Sequence, residues 1–64
     1  MKVFIEKTNT EKKINFEGTV KLLLIKLKIN PEEVIVVRNE ELVSEVELLN
    51  DKDDIKILSV VSGG

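Results

Sequence analysis

The stretch DDIKILSVVSGG, residues 53–64, closes the sequence. Ile55 and Ile57 fall on one side of it and Lys56, Leu58 and Val60 on the other, which is the period of a strand with one buried face. The strand then runs into two of the three glycines in the whole sequence, with no turn left to make. Glycine brings no side chain to pack and leaves the backbone free. Gly63 and Gly64 therefore call for a reason other than the fold.

Working back from this strand, VIVVR (34–38) is a β-branched run that suits the centre of a sheet. Asn39 and Glu40 form a tight turn into a short strand, ELV (41–43). An irregular polar stretch follows, in which Leu48 is expected to plug the core. Upstream, VKLLLIKLK (20–28) places Val20, Leu23, Leu24 and Leu27 at i, i+3, i+4 and i+7, on one face of a helix. Thr19 suits the N-cap of that helix. Pro31 disfavours helical geometry at Asn30, which can itself cap a short turn with Glu33 three residues on. At the start of the chain, KVFIEK (2–7) alternates. After a polar turn, TNTE (8–11), KINFE (13–17) alternates again, and the two make a hairpin.

The order is strand, strand, helix, strand, strand, strand, within one α+β domain. One helix must cover one face of a mixed four- to five-stranded sheet, because neither element can leave its apolar side in water. The expected core is Val3, Ile5, Ile14, Phe16, Val20, Leu23, Leu24, Leu27, Val34, Val36, Leu42, Leu48, Ile55 and Ile57. The same alternation puts Phe4, Ile35, Val37, Leu58 and Val60 on the opposite, uncovered face. A contiguous apolar cluster on an open surface marks a place where a partner docks.

Composition narrows the function. The 64 residues contain no cysteine and no histidine, so neither disulfides nor the usual zinc ligands can staple the domain. The same lack removes the best nucleophile and the side chain that titrates near neutrality, which leaves enzyme chemistry poorly provisioned. A net charge of −2 and two aromatic residues, both Phe, argue against a nucleic-acid reader, which needs a basic stripe and stacking rings. The longest apolar runs, LLLI and VIVV, are far short of a membrane span, and no signal-peptide core precedes Glu6. A soluble, cytoplasmic protein is expected. In NDKDDI (50–55), Ile55 falls where a calcium loop needs its third ligand, so a solvated turn is the expectation.

This strand and helix order, ββαβ(β)β closing in Gly-Gly, resembles the ubiquitin-like β-grasp fold. It is most similar to the sulfur carriers of thiamine and molybdopterin synthesis (ThiS/MoaD-like), with the thiamine-pathway carrier nearest and the small archaeal modifier proteins in the same group. The resemblance spans essentially the whole chain through KVFIEK, GTVKLLLIKL, INPEEVIVV and DDIKILSVVSGG. It implies a β-grasp domain over 1–61 and a flexible Ser-Gly-Gly tail over 62–64. It also implies that Gly64 supplies the carboxylate that an E1-like adenylyltransferase activates with ATP, and that Gly63 gives the tail clearance.

The chain would then be substrate and carrier, not catalyst, with no bound cofactor. Its partners would be the activating enzyme, a sulfur donor or downstream synthase, and the open sheet face would dock the first of these. Two alternatives share the fold: a modifier joined through Gly64 to lysines of other proteins, and a plain interaction module. The carriers often place glycine at the helix end and in the tight turn, where this chain has Lys28 and Glu40. Leu22 and Ile25 lie off the main helical stripe. They are expected to widen the core, the alternative being a self-association patch.

Overall fold

A computed structural model describes residues 1–60. Five strands form one mixed sheet: β1 (Lys2–Ile5), β2 (Thr10–Lys13), β4 (Val34–Arg38), β5 (Glu41–Val43) and β7 (Asp54–Ser59), in the spatial order β2-β1-β7-β4-β5. The first and last strands lie side by side and parallel at the centre, and every other pairing in this sheet is antiparallel. A second, two-stranded ladder joins β3 (Gly18–Thr19) to β6 (Leu48–Leu49). The single α-helix, α1 (Val20–Lys26), packs on one face of the large sheet. This is the α+β, one-helix architecture expected from the sequence.

The helix is anchored at both ends. Thr19 Oγ1 accepts the N–H of Leu22 at 3.2 Å, as its N-cap role requires. The N–H groups of Val20 and Lys21, which have no partner within the helix, donate to the carbonyls of Glu47 and Glu45 at 3.0 Å each. At the other end the Ile29 N–H reaches the Leu24 carbonyl at 2.9 Å and the Lys28 N–H reaches that of Ile25 at 3.0 Å. This pair of bonds is a Schellman closure, which puts Lys28 at φ 61°, in the position that usually holds glycine. Asn30 Oδ1 then accepts from Glu32 N–H at 3.0 Å and caps the short 3₁₀ turn Pro31–Glu33.

The core comprises Val3, Val20, Leu23, Leu24, Val36, Leu49, Ile55 and Ile57, each at most 4% exposed. Ile5, Ile14, Phe16, Leu27 and Val34 pack against it half-buried, as do Met1, Ile29 and Val43. Among the described residues no polar side chain is buried. Gly18 is held at φ 151°, where side-chain-bearing residues are strained, and a Cβ there would crowd the Phe16 ring at 3.1 Å.

Three expectations are corrected. Leu42 is 72% exposed: the two-residue turn pairs Arg38 with Glu41, which aligns Val37 with Leu42 and Val36 with Val43. Directly paired residues share a face, so Val43 joins the core. Leu48 is 69% exposed and Leu49 takes the core position, because β6 pairs with β3 and turns Leu49 inward. Leu22 and Ile25 do not widen the core; they are 54% and 56% exposed.

The second strand also lies earlier than expected. The 3₁₀ turn Glu6–Thr8 and Asn9, at φ 51°, close the hairpin so that Ile5 pairs with Thr10. Glu40, where the carriers often have glycine, sits at φ 71° beside Asn39 at φ 49°. Positive φ at both central residues is the hairpin geometry that matches strand twist.

Candidate functional site

The site is the uncovered face of the sheet together with the end of β7, from which the chain continues toward Gly63 and Gly64. Those two residues, and the 62–64 tail, lie outside the described residues. Pairing between β7 and its neighbours brings four of the five named open-face residues into two rows, with Val60 beyond the strand's end. In one, Phe4 is aligned with Lys56, Lys56 with Val37, and Val37 with Leu42, across β1, β7, β4 and β5. In the other, nearer the strand's exit, Ile35 is aligned with Leu58.

Phe4, Val37 and Leu58 are half-buried while Ile35 is 43% exposed, so this is a packed surface rather than scattered side chains. Lys56 stands in the middle of the apolar rows. Leu42 was assigned to the core by sequence and instead extends this surface by one strand. The two-residue turn was the signal that could have placed it.

Val60 lies one residue past β7 and is 42% exposed. It borders a groove of about 770 Å³ on the helix side, where the short helix leaves the sheet uncovered beside Leu27, Ile29 and Val34. Two bonds hold the exit. Where β1 has ended, Glu6 Oε1 accepts the N–H of Ser59 at 3.1 Å, and the Val60 N–H donates to the Glu33 carbonyl at 2.9 Å. The backbone is thus fixed up to the residue from which the tail begins. Beyond Val60 the sequence supplies only Val61 and Ser62 before the glycines.

The acidic segment after β6 has other work. Asp53 Oδ2 accepts the Asn50 N–H at 2.8 Å, and its Oδ1 accepts from Asn39 Nδ2 at 3.1 Å. Asp51 Oδ1 accepts the Phe16 N–H at 2.9 Å and lies 3.5 Å from the Met1 amino group. These contacts, the Phe16 N–H first, hold the Asp51 carboxyl below its ordinary range. A depressed carboxyl adds stability above the unfolded-chain value, and that stability is lost as pH falls through the folded value. The carboxylates are committed to closing a turn.

The pattern of the ThiS family matches residues 2–64. The chain belongs to the ThiS family. Among curated relatives, the sulfur carrier protein TtuB of Thermus thermophilus is 40% identical over 42 residues, which cover 66% of this chain. The match spans 65% of that relative's length, just under two thirds. Among solved structures, the NMR structure of a thiamine biosynthesis protein from Geobacter metallireducens superposes with a TM-score of 0.60. That match covers 100% of this chain and 88% of the other at 23% identity, and it establishes the β-grasp fold. As in the resemblance read from sequence, the ThiS match reaches the terminal glycines. No helix among the described residues is long and apolar enough to cross a membrane.

Proposed function

We propose that this ThiS-family chain is a cytoplasmic sulfur carrier that works as a substrate of other enzymes. The observation that carries this is the family match through Gly64, on a strand whose exit is fixed by the Glu6 and Glu33 bonds. A carboxylate oxygen of Gly64 attacks the α-phosphorus of ATP on an E1-like activating enzyme, and pyrophosphate leaves. A sulfide equivalent from a donor then adds to the acyl carbon and displaces AMP, which leaves a thiocarboxylate. With no cysteine in the sequence, the transferred sulfur is held on this terminal carbon. ATP is consumed on the enzyme, and the carrier needs no cofactor of its own. Intact-mass spectrometry of protein isolated with its activating enzyme and sulfur donor is expected to show one oxygen replaced by sulfur. A mass that stays at the all-oxygen value after incubation with ATP and donor overturns the proposal, and a covalent adduct to other proteins in its place would make the chain a modifier.

The activating enzyme docks on the open face, through Phe4, Ile35, Val37 and Leu58, with Val60 at the rim. Leu58→Asp puts a carboxylate at the centre of that contact. An interfacial apolar contact is commonly worth about 2 kcal/mol, and an unpaired buried carboxylate adds a desolvation penalty. Affinity is expected to fall at least tenfold, or about 1.4 kcal/mol, while Asn15→Asp, exposed past β2, changes nothing. Titration calorimetry on both variants, after urea melts confirm their folding, decides it. Equal affinity of Leu58→Asp and the parent chain returns the face to ordinary surface.

A further inference from the structure

The side of the molecule away from the open sheet face carries a second apolar surface. Leu22 and Ile25 lie one turn apart on the outer side of α1, and Val46 and Leu48, which flank Glu47, are 79% and 69% exposed. Backbone bonds hold the 45–48 segment against the first turn of the helix. The carbonyls of Glu45 and Glu47, on either side of Val46, grip the first two helical amides. Leu48 is the register partner of Thr19, whose hydroxyl caps Leu22. Four of the seven large exposed apolar side chains among the described residues thus gather around one short helix. Single exposed apolar residues need no explanation, but a contiguous set on a surface that polar residues could occupy freely does.

The charges around this patch indicate what covers it. Lys21 and Lys26 project from the helix, and Glu17 and Glu45 from the segments beside it. Among the described residues the ion pairs are Met1 amine–Asp51, Lys2–Glu11 and Arg38–Glu47, so none of these four charges is matched among those residues. A partner surface of one sign would repel half of this rim. A two-fold axis, by contrast, sets each patch against its own copy, where a rim carrying both signs can pair lysines of one chain with glutamates of the other while the apolar centres pack together.

We propose that the outer face of α1 and the 44–48 turn form an isologous dimer interface for a second copy of this chain. Four apolar side chains per copy fall short of the roughly 800 Å² per partner of a stable interface, so the dimer is weak and concentration-dependent. It leaves the open sheet face and the β7 exit free, and it does not depend on the sulfur-carrier proposal.

Sedimentation velocity over a concentration series tests this. The weight-average mass of the parent chain is expected to rise toward that of a dimer, and Ile25→Lys, at an exposed position that leaves the fold intact, to weaken association at least tenfold. Charge reversal supplies the second measurement. Lys21→Glu sets glutamates against the partner's Glu45, and Glu45→Lys sets lysines against its Lys21, so each variant alone should stay monomeric. An equimolar mixture of the two should associate, because both contacts are then of opposite sign. A parent chain that remains monomeric at its solubility limit overturns the proposal. So does dimerisation that survives Ile25→Lys, or a mixture that fails to associate.

Discussion

Deleting Gly63 and Gly64 is expected to abolish ATP–pyrophosphate exchange with the activating enzyme while leaving stability within about 0.5 kcal/mol of the intact chain. The two halves of this expectation have separate physical causes. Stability resides in the α1–sheet core and in strand pairing that ends at Ser59. The bonds that fasten the exit, at Ser59 and Val60, also precede the deletion. Exchange, in contrast, depends on where the terminal carboxylate can reach. An extended chain spans at most about 3.3–3.6 Å per residue, so losing two residues withdraws the carboxylate by about 7 Å. Attack on phosphorus requires the reacting atoms to come within about 3–3.5 Å. The shortened chain would also end on Ser62, whose Cβ hinders the approach that glycine permits. Full exchange by the truncated protein would refute activation at Gly64, and a loss of more than 1 kcal/mol in urea melts would show that the tail packs on the domain.

Sequence was most informative where a period of two or 3.6 had a long run to act on. The helix stripe Val20, Leu23, Leu24 and the strand alternation of Val3, Val36, Ile55 and Ile57 all became core, because one buried face fixes the register of a strand. Leu42 was misplaced although the information was present. With Asn39 and Glu40 as a two-residue turn, counting back from Arg38↔Glu41 puts Leu42 opposite Val37, on the open face.

Leu48 and Leu49 were harder, since two adjacent leucines carry no alternation and only the non-local pairing with Gly18 and Thr19 chooses between them. Strand β2, TEKK, is polar throughout and lies at a sheet edge, so no apolar alternation marked it, and the reading fell instead on KINFE, whose Ile14 and Phe16 pack on the core just past the strand's end. Leu22 and Ile25 are a different case. Their chemistry suggested burial, but a short helix on one sheet face buries one stripe only, and they lie outside it. The open-face rows of the candidate site were legible because they are the complement of the core. The two bonds that fasten the exit were not, since Glu6 and Glu33 reach it from segments distant in sequence.

The last expectation uses that helix directly, through two neighbouring leucines. Leu23 is fully buried, in the same cluster as Val3, Ile55 and Ile57, and Leu22 beside it is 54% exposed. Leu23→Ala removes buried methyl groups and leaves a cavity, which costs about 2–5 kcal/mol. Helix propensity does not oppose this estimate, because alanine is at least as good a helix former as leucine. A domain of this size has roughly 0.05–0.15 kcal/mol of stability per residue, or about 3–10 kcal/mol in all. The sequence has no disulfide to make up the loss, so Leu23→Ala should be marginally folded at room temperature. Leu22→Ala, measured where the chain is monomeric, should cost no more than about 0.5 kcal/mol. Successive residues on a helix point about 100° apart, so the pair reports the rotation of α1 against the sheet. Urea unfolding with an unchanged slope would assign both effects to the native state. If Leu22→Ala proves the more damaging, α1 is turned by one residue, and both the core and the dimer face on its outer side are misassigned together.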